Sequence, residues 1–177
     1  LAVRAATVAA RRNLLEIIKG VHIDSATTVQ NLMVRDDRVV STVRGFLQNS
    51  QILDTAYMSD GSVEVTVGIG MRGPLSEAVI PKTIPFNTQP ALPTPTPDPE
   101  ITEPTPEASI TGLVIDARGL EARPAMAPRV VDEGGREVYG SVLVSREYAV
   151  QQGMAGYAKD VSKATANARV GSNPLVI

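Results

Sequence analysis

Few residues of this chain could take part in chemistry, and they are widely separated. The single histidine, His22, is the natural candidate for a general base. A catalytic histidine needs a nucleophile or a carboxylate within reach. Asp24 and Ser25 follow it, but consecutive strand positions point to opposite faces of a sheet. We therefore predict that His22 is a solvated strand residue and that the chain has no catalytic histidine.

Two carboxylate pairs, Asp36-Asp37 and Asp132-Glu133, are the only adjacent acids that suggest a metal site. Calcium loops need more oxygen ligands in a fixed order than either pair offers. Asp36 or Asp37 precedes a helical pattern and is predicted to cap its N-terminus. The second pair is predicted to lie in a turn. We accordingly expect neither metal nor cofactor.

The glycines Gly68, Gly70 and Gly73 match the spacing of a dinucleotide-binding fingerprint. That fingerprint requires a helix to open directly after the glycines, whereas Pro74 follows here and no helix is predicted. A glycine in a strand more often marks a bulge or a close approach of the backbone. No phosphate site is predicted here.

Four polar residues surround a glycine–proline turn: Asp116, Arg118, Arg123 and Arg129. They could form an internal salt-bridge network that holds the irregular loop. They could instead form a subunit contact, where arginine is enriched because its planar fork pairs rigidly with carboxylates. A third alternative is a site for an anionic ligand. We keep the four as candidate subunit-contact residues.

Composition excludes several classes of function. The formal net charge of −2 leaves no basic excess to hold nucleic acid. The absence of Cys removes disulfides, thiolate nucleophiles and cysteine metal sites. No apolar stretch approaches the ~20 residues that a membrane span needs. The chain opens inside a helical pattern without Met, which we interpret as the start of a processed or trimmed chain.

The sequence predicts an α+β protein with two small lobes, each a short, mostly antiparallel sheet packed by helices. A proline-rich linker, 81–107, joins domain 1–80 to domain 108–177; it holds nine of the 13 prolines, one Lys and four acids. Alternating Thr-Pro favours a polyproline II spacer. The alternatives to a spacer are a recognition segment for a polyproline-binding domain and an ordered strap that lies on one lobe.

Periodicity places the elements of both domains. In the first domain we predict a helix at 1–19, ended by a left-handed Gly20, and an extended segment at 21–34. A second helix is predicted at 36–47, and a hairpin at 50–71 that turns at Ser59-Asp60-Gly61. In the second domain we predict a strand at 110–115, a hairpin with a Gly134-Gly135 turn, a helix capped by Ser145 and ended by Gly153, a helix at 159–168 and a final strand.

Residues 5–71 resemble the small outer-membrane lipoprotein family that includes the flagellar basal-disk protein FlgP, and the related N-terminal domain of the flagellar assembly protein FlgT. The shared elements are Ala10-Arg11-Arg12-Asn13-Leu14-Leu15, Gly20-Val21, Thr28-Val29, Gly45, and Asp60-Gly61 before "VEVTV". The later run "TGLVIDARGL" with "RPAMAPRVVDEGGREVYGS" is similar to a segment that accompanies this domain in some delta-proteobacterial proteins.

The resemblance implies a non-enzymatic structural protein of the bacterial periplasm or outer membrane, a flagellum-associated disk or ring subunit. Its partners would be copies of itself and other envelope or flagellar proteins. Membrane attachment would require a lipid anchor, for which this chain has no Cys. An envelope binding module for peptidoglycan, polysaccharide or a secretion-channel partner is the alternative.

Overall fold

The computed structural model describes residues 1–88 and 109–177. The helices and strands within these residues are, in chain order, α1 (Ala2–Lys19), α2 (Val29–Arg35), α3 (Asp37–Gln48), β1 (Gln51–Tyr57), β2 (Val63–Gly68), α4 (Pro74–Val79), β3 (Gly112–Val114), β4 (Val130–Val131), β5 (Glu137–Tyr139), α5 (Arg146–Gln152), α6 (Val161–Thr165) and β6 (Pro174–Val176). The α+β prediction is confirmed. None of the helices in the described ranges combines the length and apolarity needed to cross a bilayer.

The chain forms two compact units. The first unit comprises Leu1–Asn87 and Arg123–Met154, and the second comprises Thr88–Ala122 and Ala155–Ile177. This division differs from the predicted boundaries, because residues 123–154 pack with the first unit. The reason is a set of long-range contacts that local patterns do not encode.

Helix α1 forms as predicted, because its apolar residues recur at three- and four-residue spacings. Ile18 is its one fully buried residue, and Leu14 and Leu15 pack against the same core cluster. Gly20 ends the helix with φ −76°, a right-handed conformation, so the predicted left-handed cap is wrong. The Gly20 N–H donates to the Glu16 carbonyl oxygen, as an ordinary continuation of the helix would.

Helix α2 replaces much of the extended segment predicted for residues 21–34. Thr28 is its N-cap, and its hydroxyl accepts the Asn31 N–H while the Asn31 side chain accepts the Thr28 N–H. This reciprocal capping box satisfies two backbone donors and begins the helix at Val29. Val29 is fully buried, so tertiary packing outweighs the strand preference of its β-branched side chain.

Helix α3 confirms its prediction, including the cap. The Asp36 carboxylate accepts the Arg38 N–H at 2.8 Å. Val39, Val43 and Leu47 then bury one face of the helix in the core. The core cluster also receives the buried side chains of Ile23, Leu75 and Val79.

Helix α4 was not predicted, and the expectation that no helix opens after Gly73 is wrong. Proline fits the first helical turn, where its missing N–H would have no partner. Gly73 precedes it with φ +73°, a conformation that glycine adopts readily. The Gly73 N–H donates to the Val150 carbonyl oxygen at 2.8 Å, so this backbone group is engaged within the fold.

Residues 123–154 attach to the rest of the first unit through main-chain bonds and apolar packing. The Met126 and Ala127 N–H groups donate to the carbonyl oxygens of His22 and Ile23, at 2.9 and 2.7 Å. Strands β4 and β5 form the predicted hairpin, with Gly135 at φ +80° in its turn. Helix α5 begins and ends as predicted, with the Ser145 hydroxyl accepting the Tyr148 N–H and Gly153 following the last turn.

The first residues of the predicted linker belong to the first unit. Ile84 and Phe86 pack against its buried clusters, and the Asn87 N–H donates to the Val144 carbonyl oxygen at 3.0 Å. The polyproline II prediction falls mainly on residues 89–108, which lie outside the described residues.

The described part of the second unit is built around a parallel pair, β3 with β6. Both strands were predicted, but not their parallel pairing; the predicted domain 108–177 thus contains this parallel pair and the antiparallel pair β4–β5. A Cβ on Gly112 would lie 2.6 Å from the Val170 backbone, so only glycine allows this close approach. Helix α6 is shorter than the predicted helix at 159–168, and two 3-10 turns lie at Ser141–Leu143 and Ala168–Val170.

Candidate interaction surface

The β1–β2 hairpin is positioned by a tight turn that its sequence encodes. The Asp60 carboxylate accepts the Ser62 N–H at 2.9 Å, and Gly61 adopts φ +82°. The side-chain hydrogen bond with Ser62 lowers the pKa of Asp60. The predicted turn is therefore confirmed, and its acid has a local structural role.

A β-bulge in β1 determines which residues share a face of the hairpin. Ile52 pairs with Val67, but the next pair is Asp54 with Thr66, so Leu53 is the extra residue. A Cβ on Gly68 would lie 2.7 Å from the Leu53 side chain, which places Leu53 over that glycine. The bulge therefore turns Leu53 and Asp54 to the same face.

Helix α1 covers the other face. It contacts β2, whose Val63, Val65 and Val67 are half-buried while the alternating Glu64 and Thr66 are exposed. The hairpin has no fully buried residue. Helix and hairpin thus form two layers with no enclosed core of their own.

The exposed face of the hairpin, hereafter the outer sheet face, is both apolar and acidic. It comprises Leu53, Asp54, Ala56, Glu64 and Thr66. Leu53 is 63% exposed although it is a large aliphatic side chain. Residues 49–71 contain three acids and no base, so the surface is negative.

Strand β1 also has an open edge. Within the part of the chain that the structure describes, it pairs only with β2. Natural edge strands are usually blunted by lysine, proline or a bulge, and β1 has only the bulge. Ile52 and Tyr57 are exposed along it. This edge and the outer sheet face are the candidate interaction surface.

Residues 112–177 match the family model of the second domain of Treponema pallidum Tp0624. We call this range the Tp0624-like segment; it is less than half of the chain. Comparison with curated proteins and with solved structures gives no match.

The Tp0624-like segment contains all four residues predicted as a subunit contact, and they are divided between the two units. Asp116 and Arg118 belong to the second unit, whereas Arg123 and Arg129 belong to the first. Arg118 Nη2 lies 2.6 Å from Asp116 Oδ2, a paired fork contact within one turn. Arg129 Nη1 lies 3.8 Å from Glu137 Oε2. Asp116 with Arg118, and Arg129 with Glu137, are thus separate local pairs.

The Arg118 side-chain hydrogen bonds lower the pKa of Asp116 to about 2. We predict that R118A raises the pKa of Asp116 toward the ordinary value near ~3.9, because only the backbone N–H contact remains. The Asp116–Arg118 pair stabilises the fold fully when the pH is above the pKa of Asp116 in the unfolded chain. This stabilisation is lost as the pH falls through the pKa of Asp116 in the folded chain, about 2.

Carboxyl-carbon NMR titration of Asp116 in both proteins measures this effect, with K159A as a control at an exposed cation. An unchanged pKa of Asp116 in R118A would show that the arginine is not its partner in solution.

The other candidate chemical residues have local structural roles. Asp132 accepts the Arg136 N–H at 2.8 Å and pairs with the Arg136 guanidinium at 3.0 Å, which closes the predicted turn. His22 is half-buried, and its carbonyl oxygen accepts the Met126 N–H. In residues 1–88 and 109–177, no three His, Asp or Glu side chains come together in a way that could hold a metal ion.

The outer sheet face could not be predicted from the sequence, because the bulge determines which side chains lie on it. The alternation of Val63, Val65 and Val67 indicated one covered face. In "QILDTAY" the consecutive Ile52 and Leu53 offered two choices for that face. The available signal was Gly68, which has no side chain and leaves room for that of Leu53.

Proposed function

We propose that this protein is a non-enzymatic structural subunit of the bacterial cell envelope that assembles with copies of itself. In this proposal it is part of a flagellum-associated disk or ring at the periplasm or outer membrane. Its further partners are other envelope or flagellar proteins.

The observation that carries the proposal is the hairpin, which α1 covers on one face and which, among residues 1–88 and 109–177, leaves its other face exposed. A two-stranded sheet is marginal in water unless a further layer or strand stabilises it. Here the open β1 edge could pair with a further strand, and the exposed face around Leu53 could be covered by a further layer. Contact with another chain would bury these groups, as expected for a building block.

The family resemblance supports the same assignment. It covers residues 5–71, and the elements in that range are α1, α2, α3 and the β1–β2 hairpin. The candidate interaction surface therefore lies in the part of the chain that resembles the flagellar lipoproteins. The envelope location and the flagellar partners depend on this resemblance.

The acids with shifted pKa values also support a structural role. The pKa values of Asp60 and Asp160 are lowered first by side-chain hydrogen bonds with Ser62 and Ser162, two residues further along the chain. The pKa of Asp116 is lowered by Arg118. Each carboxylate stabilises its own turn.

Sedimentation velocity over a wide range of protein concentrations tests the proposal. We expect a shift from monomer to larger species as concentration rises, because self-association follows mass action. Ring or disk particles in negative-stain images would support it further. A protein that remains monomeric throughout the range contradicts the proposal. A monomer that sediments with cell-wall sacculi would favour the alternative, an envelope binding module.

A further inference from the structure

The outward side of α1, hereafter the outer helix face, is the second exposed surface of the first unit that combines apolar and charged residues. Leu1, Ala5, Val8 and Arg12 follow one another at three- and four-residue spacings, and all are exposed. Val8 is 56% exposed. Since helix residues at these spacings share a side, they form a continuous stripe directed away from the hairpin.

The charge of the outer helix face is positive. Arg4 and Arg12 are exposed on it. The nearest acid of the helix, Glu16, is already paired with Lys19 at 2.8 Å. Arg11 is directed elsewhere, because its Nε donates to the Ser50 hydroxyl at 3.1 Å. Two arginines are thus available beside a narrow apolar stripe.

The outer sheet face offers the complementary pattern. Glu64 and Asp54 are exposed on this face, with Leu53 next to Asp54 over Gly68, and no base lies in residues 49–71. Asp54 pairs with Thr66, and Glu64 lies two positions along the same strand. Such diagonal neighbours are about 7–8 Å apart.

The spacing of the charges on the two faces is compatible. Arg4 and Arg12 are eight residues apart, or about 12 Å along a helix axis. The long arginine side chains can cover the difference of about 4 Å from the spacing of Asp54 and Glu64. Val8 lies midway between the two arginines, so it would meet the sheet face between Asp54 and Glu64, beside Ala56.

We propose that the outer helix face of one copy packs on the outer sheet face of the next copy. The hairpin is then covered on both sides, by its own α1 and by α1 of the neighbour. The two surfaces differ, so the contact is head-to-tail and generates a ring or a filament. This inference rests on the proposed self-assembly and names the surfaces that carry it.

Charge reversal tests the contact in the full chain. The helix variant R4E/R12E and the sheet variant D54R/E64R each place like charges in the interface. We expect each variant alone to need about tenfold or more protein for half-assembly, because opposed like charges strongly disfavour a complex. Sedimentation velocity gives the assembled fraction, and circular dichroism verifies that each variant is folded.

An equimolar mixture of the two variants is the most direct test of the contact. The unchanged helix of the sheet variant fits the unchanged hairpin of the helix variant, and the two reversed surfaces also fit each other. We therefore expect the mixture to assemble at wild-type concentrations. The control R35E/R44E changes the net charge as the helix variant does, at exposed residues of α2 and α3, and should assemble normally.

The outcomes separate the two proposals. A wild-type chain that never assembles overturns the proposed function and this inference together. Assembly of the wild type, with equal assembly of the helix and sheet variants, overturns this inference alone. Two folded variants that fail singly and also fail in the mixture overturn it as well.

Discussion

R146A is expected to lower the free energy of unfolding by about 2–3 kcal/mol, because one guanidinium satisfies several backbone acceptors. Arg146 Nη2 donates to the Ile80 carbonyl oxygen at 2.7 Å and to that of Glu77 at 3.2 Å. Nη1 donates to the Pro81 carbonyl oxygen at 3.2 Å. These carbonyls lie at the end of α4, where a helix leaves acceptors unpaired.

The surroundings of Arg146 increase the expected loss. Its side chain is only 25% exposed, and its Cζ lies 5.7 Å from the centre of the Phe86 ring. Cation–π contacts are stronger when the cation is shielded from water. Nε also lies 3.5 Å from a Glu77 carboxylate oxygen. Truncation would therefore weaken the attachment of residues 123–154 to residues 1–87.

Urea denaturation of R146A, R146K and R136A measures this effect. Lysine keeps the charge but lacks the planar fork, so R146K should recover only part of the loss. R136A is the matched control, because Arg136 is 82% exposed and pairs with Asp132. We expect R136A to lower the free energy of unfolding by less than about 1 kcal/mol. Equal stability of R146A and R136A would contradict this role of Arg146.

I23A is expected to cost about 2–5 kcal/mol, as the removal of a fully buried aliphatic side chain does. Ile23 is 0% exposed and belongs to the main core cluster. Its main chain is fixed on both sides, since its N–H donates to Thr27 and its carbonyl oxygen accepts the Ala127 N–H. The fold has little freedom to collapse into the resulting cavity.

I17A is the matched control for I23A, because Ile17 carries the same side chain at 68% exposure. We expect I17A to change the free energy of unfolding by no more than about 0.5 kcal/mol. Thermal and urea unfolding of both variants, followed by circular dichroism, make the comparison. A loss below about 1 kcal/mol in I23A would mean that the described core is not the one present in solution.

Local signals predicted the elements that local chemistry determines. Asp36 and Ser145 begin their helices by accepting a backbone N–H, and Gly61 and Gly135 supply the positive φ of the two hairpin turns. Such residues act within three or four positions of themselves. The sequence alone was therefore sufficient for α1, α3, α5 and both hairpins.

Two helices were missed because a residue type was interpreted without its neighbours. Thr28 and Val29 favour strands by propensity, but Asn31 completes a capping box and the core accepts Val29. Pro74 breaks helices in their interior yet fits their first turn, after a Gly73 at positive φ. In each case position relative to the helix end mattered more than residue type.

Long-range pairing was beyond the sequence patterns. Nothing in the periodicity near Ala127 indicates that its N–H bonds to Ile23, or that β3 pairs in parallel with β6. The candidate surface depended on an equally hidden feature, the bulge that turns Leu53 outward. The four polar residues were predicted as one set, whereas Asp116 pairs with Arg118 and Arg129 pairs with Glu137.

Hydrogen–deuterium exchange at low and high protein concentration tests the central claim, that the hairpin becomes covered when copies associate. We expect amides in residues 51–68 and in α1 to exchange about tenfold or more slowly at high concentration, because protection follows burial and association. Amides in α3, from Asp37 to Gln48, should exchange equally at both concentrations. Unchanged exchange of the hairpin in a demonstrably assembled sample would contradict the claim.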